Sequence, residues 1–192
     1  MILESLQQQI FEREQRYGGL RRKLQGLSAE ILAGSKRAIF AFHREDPKGA
    51  KEELERVNGR LEEGWALIVE EPLLRSEGSW RAAREEYTEA DFLSQVLLSG
   101  GVTYFNDKEQ DPDIFIGGLS DLVGELVRQA VLRVTKGEHA TIDELYAMSQ
   151  EVVEFLLRMD LTGTQRTKTD QAKQHLRKLE EIRYDLSLRR TK

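Results

Sequence analysis

The chain contains no cysteine in its 192 residues, which excludes both a disulfide framework and a thiolate metal site. Proline occurs only at positions 47, 72 and 112, so long stretches are free to run as unbroken helix. Aromatic side chains make up just 7% of the residues. No apolar run approaches the roughly 18 residues that cross a bilayer. The start, Met1-Ile2-Leu3-Glu4-Ser5, lacks the basic leader and long apolar stretch of a secretory signal. These absences together predict a protein without membrane attachment, cytoplasmic by default.

Histidine is also scarce. His43, His139 and His175 lie far apart, and none follows a glutamate by three residues, so the Glu-x-x-His pattern of di-iron helical bundles is missing. There is no phosphate-cradling glycine loop and no nucleophile motif around a serine.

What is abundant is charge. Asp, Glu, Lys and Arg reach 33% of the chain, with a net charge of −5. The distribution is uneven: residues 166–192 hold nine Lys and Arg against four Asp and Glu, so the preceding 165 residues carry −10. An acidic body with a basic end can mark a polyanionic partner; it can also be a solvated final helix. The length suits one domain, residues 1–192.

The hydrophobic pattern is helical throughout. Leu3, Leu6, Ile10, Arg13, Tyr17, Leu20, Leu24, Leu27 and Ile31 alternate in steps of three and four, predicting one long N-terminal helix that packs along its length and ends near Pro47. Gly18-Gly19 and Gly34 cost it about 1 kcal/mol each and allow a kink. A second helix carries Leu54, Val57, Leu61, Trp65 and Ile68, and a third runs over residues 77–98. Residues 102–113 read as a loop, and a fourth helix covers 114–136 with Gly137 as its stop. Thr141 with Glu144 predicts a capping box opening a fifth helix. Residues 162–169, rich in Gly and Thr, read as a turn before a last helix carrying Ala172, Leu176, Leu179, Ile182 and Leu186. The expected fold is an all-α bundle of six to seven helices.

Two acidic pairs border apolar helix faces. Glu86 and Glu89 are three residues apart, Asp121 and Glu125 four, so each pair lies on one side of its helix. Four convergent carboxylates repel one another unless a cation or proton intervenes. Hard divalent ions prefer oxygen ligands, which points to Mg²⁺ or Mn²⁺ acting on a phosphoryl oxygen. The competing reading is a set of solvated acids paired with Arg84 and Arg128. Over residues 35–44, Lys36, Arg37, Phe40, His43 and Arg44 share one side of a helix, a basic stripe with an interleaved aromatic that suits a phosphate backbone. Cations near a helix C-terminus also favour its dipole, so this stripe has two explanations.

Glu85-Glu86-Tyr87-Thr88-Glu89 is similar to the first half of the Glu-Glu-x-x-Glu … Glu-x-x-Asp pattern of the helical nucleotide pyrophosphohydrolases. Here the second half is Asp121 and Glu125, reversed and more widely spaced. Four segments in register resemble the translin family, in its translin-associated factor X branch, the endoribonuclease subunit of the RISC-promoting complex. Ser35-Lys36-Arg37-Ala38-Ile39-Phe40-Ala41-Phe42-His43-Arg44 is similar to that branch's Ser-Lys-Arg-x-Ile-Phe-x-x-His-Arg. Glu86-Tyr87-Thr88-Glu89-Ala90 resembles its Glu-Tyr-x-Glu-Ala. Gly118-Leu119-Ser120-Asp121-Leu122-Val123-Gly124-Glu125-Leu126 resembles its Gly-x-x-Asp-Leu-x-Gly-Glu-Leu. Tyr184-Asp185-Leu186-Ser187-Leu188-Arg189 resembles the C-terminal signature of translin itself.

The resemblance implies an all-α fold of about seven helices and a closed octameric shell enclosing RNA. It further implies a metal-dependent endoribonuclease that cleaves single-stranded or short duplex RNA. Glu86, Glu89, Asp121 and Glu125 would be the catalytic metal ligands. Lys36, Arg37, Arg44, Arg81 and Arg128 are expected at phosphates, with orientation of the carboxylates as the alternative role of Arg128, three residues after Glu125. The factor X subunit normally works with translin, so a homo-octamer or a hetero-octamer with a translin-like subunit is expected. A shell that binds RNA or single-stranded DNA without cutting is the alternative, and a nucleotide pyrophosphohydrolase the second.

Overall fold

Each proline marks the opening of a helical element. In the computed structural model, which describes residues 2–190 (for Arg190 the backbone only), six α-helices follow in order. They are α1 (Glu4–His43), α2 (Pro47–Glu70), α3 (Gly78–Ser99), α4 (Pro112–Thr135), α5 (Ile142–Leu157) and α6 (Gly163–Arg190). A 3-10 turn, Pro72–Ser76, joins α2 to α3. Met1, Thr191 and Lys192, the last counted above in the basic end, lie outside the described residues. Among the described residues there is no strand, as an all-α chain requires, and no helix is long and apolar enough to cross a membrane.

Pro47 and Pro112 sit in the first turns of α2 and α4, where their missing N–H costs nothing. The preceding Asp46 and Asp111 accept hydrogen bonds from the backbone N–H of Gly49 and Asp113, at 2.9 and 3.0 Å. Gly100, at φ 80°, ends α3 in the left-handed conformation that glycine adopts without steric cost.

α3 is shared by two apolar clusters. Its first half gives Trp80, Ala83 and Tyr87 to a cluster with Leu24 and Ile31 of α1 and Leu61 of α2. Its second half gives Phe92, Leu93 and Val96 to a larger cluster with Leu122 and Leu126 of α4 and Leu179 of α6. Trp80 meets Trp65 edge to face, with ring centroids 5.2 Å apart. A Cβ at Gly64 would lie 2.4 Å from the Trp80 ring, so only glycine admits that ring.

Three expectations change. α1 is a single helix through Gly18, Gly19 and Gly34, but it does not pack along its length: Leu3, Leu6 and Ile10 are exposed, with Ile2 and Phe11 beside them. The reason is length. At 1.5 Å per residue α1 spans about 60 Å and α2 about 36 Å, so α1 outruns its partner. The capping box at Thr141 is not formed, since its side chain makes no cap hydrogen bond. Finally, the Gly/Thr-rich segment 163–169 is helix, the opening turns of α6. Weak intrinsic propensity is overridden there by tertiary contacts: Thr169 and Ala172 are buried, and Gln165 donates to the Asp113 carbonyl at 3.1 Å.

Candidate functional site

The site lies where α3 and α4 approach closely, flanked by the end of α1 and the start of α6. Two glycines set that approach. A Cβ on Gly117 would come within 2.1 Å of the Glu85 carboxylate, and one on Gly118 within 2.6 Å of Thr88. With no side chains between the helices, the acids of α3 face those of α4 directly. Glu86 and Glu89 each feel the charges of Asp121 and Glu125, so the four predicted acids share one electrostatic neighbourhood.

Their partners differ. Asp121 accepts a hydrogen bond from the Lys168 ammonium, which also donates to Glu85 at 2.6 Å. Glu125 is bonded to Nε2 of His43. The Gln129 amide donates to Nδ1 of that ring at 3.0 Å, which leaves Nε2 to carry the proton directed at Glu125. Among the described residues Glu86 forms an ion pair with Lys36 alone, at 3.9 Å. Glu89 makes no hydrogen bond or ion pair among the described residues.

The titration behaviour follows from these contacts. Burial pushes the Glu89 carboxyl from an ordinary 4.5 up to about 9, helped by repulsion from Asp121, Glu86 and Glu125. Burial also raises Glu86, against the pull of Lys36. Desolvation lowers Lys168, but its bonds to Asp121 and Glu85 outweigh this and leave it raised.

A half-buried set of carboxylates that repel one another, one holding a proton for want of a cation, suits a hard divalent ion in donor chemistry. The side chains are not drawn together as a ligand set: no three His, Asp or Glu groups among the described residues converge to hold an ion. The cause is on hand, since Asp121, Glu125 and Glu86 are each turned to a different basic group.

The basic residues divide. Lys36 and Arg128 stand at the carboxylates, Arg128 3.9 Å from Glu125 and stacked 4.6 Å over the exposed Phe40 ring. Arg44 is exposed at the end of α1. Arg37 points to α2, where it pairs with Glu53 at 3.1 Å. Arg81 is engaged with Asp113 at 3.1 Å and Asp111 at 3.5 Å. Arg84, expected at the acidic pairs in the solvated-surface reading, turns instead to Asp107, at 2.7 Å.

Sequence reasoning missed Gln129 and Lys168, named Glu85 only in the pyrophosphohydrolase pattern, and put His43 in the phosphate-facing stripe, whereas His43 is buried against Glu125. His43 and Glu125 are 82 residues apart, and no local spacing links them. Lys168 was hidden inside the presumed turn. The adjacency of Glu85 to Glu86 was the one available signal.

The chain matches the sequence profile of the translin family over residues 19–190. Among curated proteins, no sequence matches. Solved structures do. AfC3PO superposes with a TM-score of 0.87 at 21% identity, over 96% of this chain and 98% of that one. AfC3PO in complex with duplex RNA gives 0.85 at 22%, over 96% and 97%. Apo-NeC3PO gives 0.82 at 22%, over 95% and 97%.

Proposed function

We propose that this chain, which belongs to the translin family, is a divalent-metal-dependent endoribonuclease acting on RNA enclosed by an oligomer of such subunits. The observation that carries the reading is Glu89: a half-buried carboxyl with no hydrogen bond or ion pair among the described residues, beside Glu86 on α3 and facing Asp121 and Glu125 of α4 across a glycine-lined helix contact. Glu86, Glu89, Asp121 and Glu125 would hold Mg²⁺ or Mn²⁺. An ion held there would supply charge neutralisation at a scissile phosphate and Lewis-acid activation for hydrolysis.

The chain's own residues do the rest. His43, fixed by Gln129, orients Glu125. Lys36 and Arg128 lie beside the acids and would contact phosphates on either side of the cut, which fixes register with little sequence readout. Arg44 extends that track along α1. Arg37 and Arg81 would join it only by leaving Glu53 and Asp113. A structural neighbour solved with duplex RNA supports RNA as the ligand. The apolar stripe on α1 from Ile2 to Phe11 supports burial against another subunit, in a homo-octamer or with a translin-like partner.

The experiment is incubation of purified protein with labelled single- and double-stranded RNA, in Mg²⁺ and in EDTA. Cleavage in Mg²⁺ alone, lost in Glu89→Gln and Asp121→Asn with binding retained, is the expected result. Wild-type protein that binds RNA but never cuts it removes the enzyme. That outcome favours a binding-only shell, the reading to which the non-converging side chains lend weight.

A further inference from the structure

The cation buried deepest in the site belongs to the protein itself. Lys168 reaches from the second turn of α6 to Glu85 of α3 and Asp121 of α4, and its side chain is only 18% exposed. The other cations at the acids stand off: Lys36 and Arg128 are each 3.9 Å from their nearest carboxylate oxygen, with side chains 54% and 42% exposed. Water and salt screen those two far more than Lys168. An ammonium in that position neutralises the α3–α4 acids in a way that a bridging divalent ion also would. An ion bound to Asp121 would then feel repulsion from a cation already hydrogen-bonded to the same carboxylate.

We propose that Lys168 is a built-in counter-ion of the carboxylate site, one that holds the acids together in the metal-free protein and competes with a divalent ion for Asp121. The inference rests on the metal reading above, but not on RNA cleavage. Lys168 also couples ion binding to α6, because an ion that displaces the ammonium releases the contact fastening the first turns of α6 to α3 and α4.

The test is calorimetric titration of Mn²⁺ into metal-stripped, full-length protein. Lys168→Met is expected to bind Mn²⁺ at least roughly fivefold more tightly than wild type, since one repelling charge is gone. Lys168→Arg, which keeps the charge, and Lys173→Met, which removes an exposed pair with Asp170 on the same helix, are expected to match wild type. Lys168→Gln, which removes the charge but keeps a hydrogen-bond donor for Asp121, is expected to tighten Mn²⁺ binding as well; it gives an answer even where Lys168→Met does not fold. Metal-free Lys168→Met should also melt below wild type, and saturating Mn²⁺ should close that gap. A folded Lys168→Met that binds Mn²⁺ no more tightly than wild type overturns the proposal, as does a folded Lys168→Gln with unchanged affinity. Wild-type protein that binds no Mn²⁺ overturns the metal reading and the competition with it. Wild-type protein that binds Mn²⁺ but leaves RNA intact removes only the cleavage.

Discussion

Two acidic clusters flank α3, and they are built to opposite ends. On one side, Arg84 is buried and holds Asp107 through two hydrogen bonds, at 2.7 and 2.8 Å, with Glu109 at 3.1 Å. Arg75 and Arg81 close the same cluster on Glu109 and Asp111. Nearby, Gln95 accepts from the backbone N–H of Thr103 and Tyr104, so the loop between α3 and α4 is pinned along much of its length. On the other side, Glu85, Glu86, Glu89, Asp121 and Glu125 share one direct ammonium, one imidazole and two distant cations. The first cluster matches each acid to a guanidinium and is structural. The second keeps excess negative charge in a half-buried place, which costs stability and is electrostatically favourable to a cation. Adjacent residues of one helix, Arg84 and Glu85, thus serve opposite purposes.

The contrast can be tested from both sides. Arg84→Met leaves Asp107 buried without its partner and is expected to cost about 3–5 kcal/mol, read as a fall in the denaturant midpoint, with Mn²⁺ affinity unchanged. Next in size, Asp121→Asn is expected to lower RNA cleavage by roughly 100-fold or more, the loss of several kcal/mol of charge stabilisation, while costing far less stability than Arg84→Met because only one half of the Lys168 contact is weakened. If it instead destabilises as much as Arg84→Met, the two clusters do not differ in kind.

A third effect is smaller and depends on pH. Glu89 binds its proton more tightly folded, at about 9, than at its ordinary 4.5, so the folded state holds the extra proton between those values. Metal-free stability should therefore fall as pH rises from about 5 to 9. Glu89→Gln should flatten most of that slope, seen by melting across the range; an unchanged slope would move its origin elsewhere. Smallest is Lys36→Ala, expected to reduce the salt dependence of RNA binding by the roughly 0.7 to 0.9 of a single phosphate contact.

The helices were readable because their apolar spacing and proline boundaries are local properties. The four acids were readable for the same reason, since spacings of three and four place them on helix faces. What lay beyond the sequence was tertiary. The helical start of α6 depends on burial of Thr169 and Ala172 rather than on propensity, so Lys168 fell in a segment read as a turn. The His43–Glu125 contact joins distant stretches. Arg81 sits one turn before Glu85 and Arg84 directly beside it, and the path of the following loop decides that both serve the other cluster. The stripe on α1 reads as one continuous apolar pattern, yet within the chain only its later part, Leu20, Leu24 and Ile31, is covered while Leu3, Leu6 and Ile10 stay exposed, because a pattern does not say where its cover comes from.

That uncovered stripe has a consequence for how much protein must be present. Where its cover is another subunit, association free energy adds to folding free energy, and the melting temperature rises with protein concentration. A freshly made subunit in dilute solution would then carry an oily flag, withdrawn only when enough neighbours have accumulated to hide it.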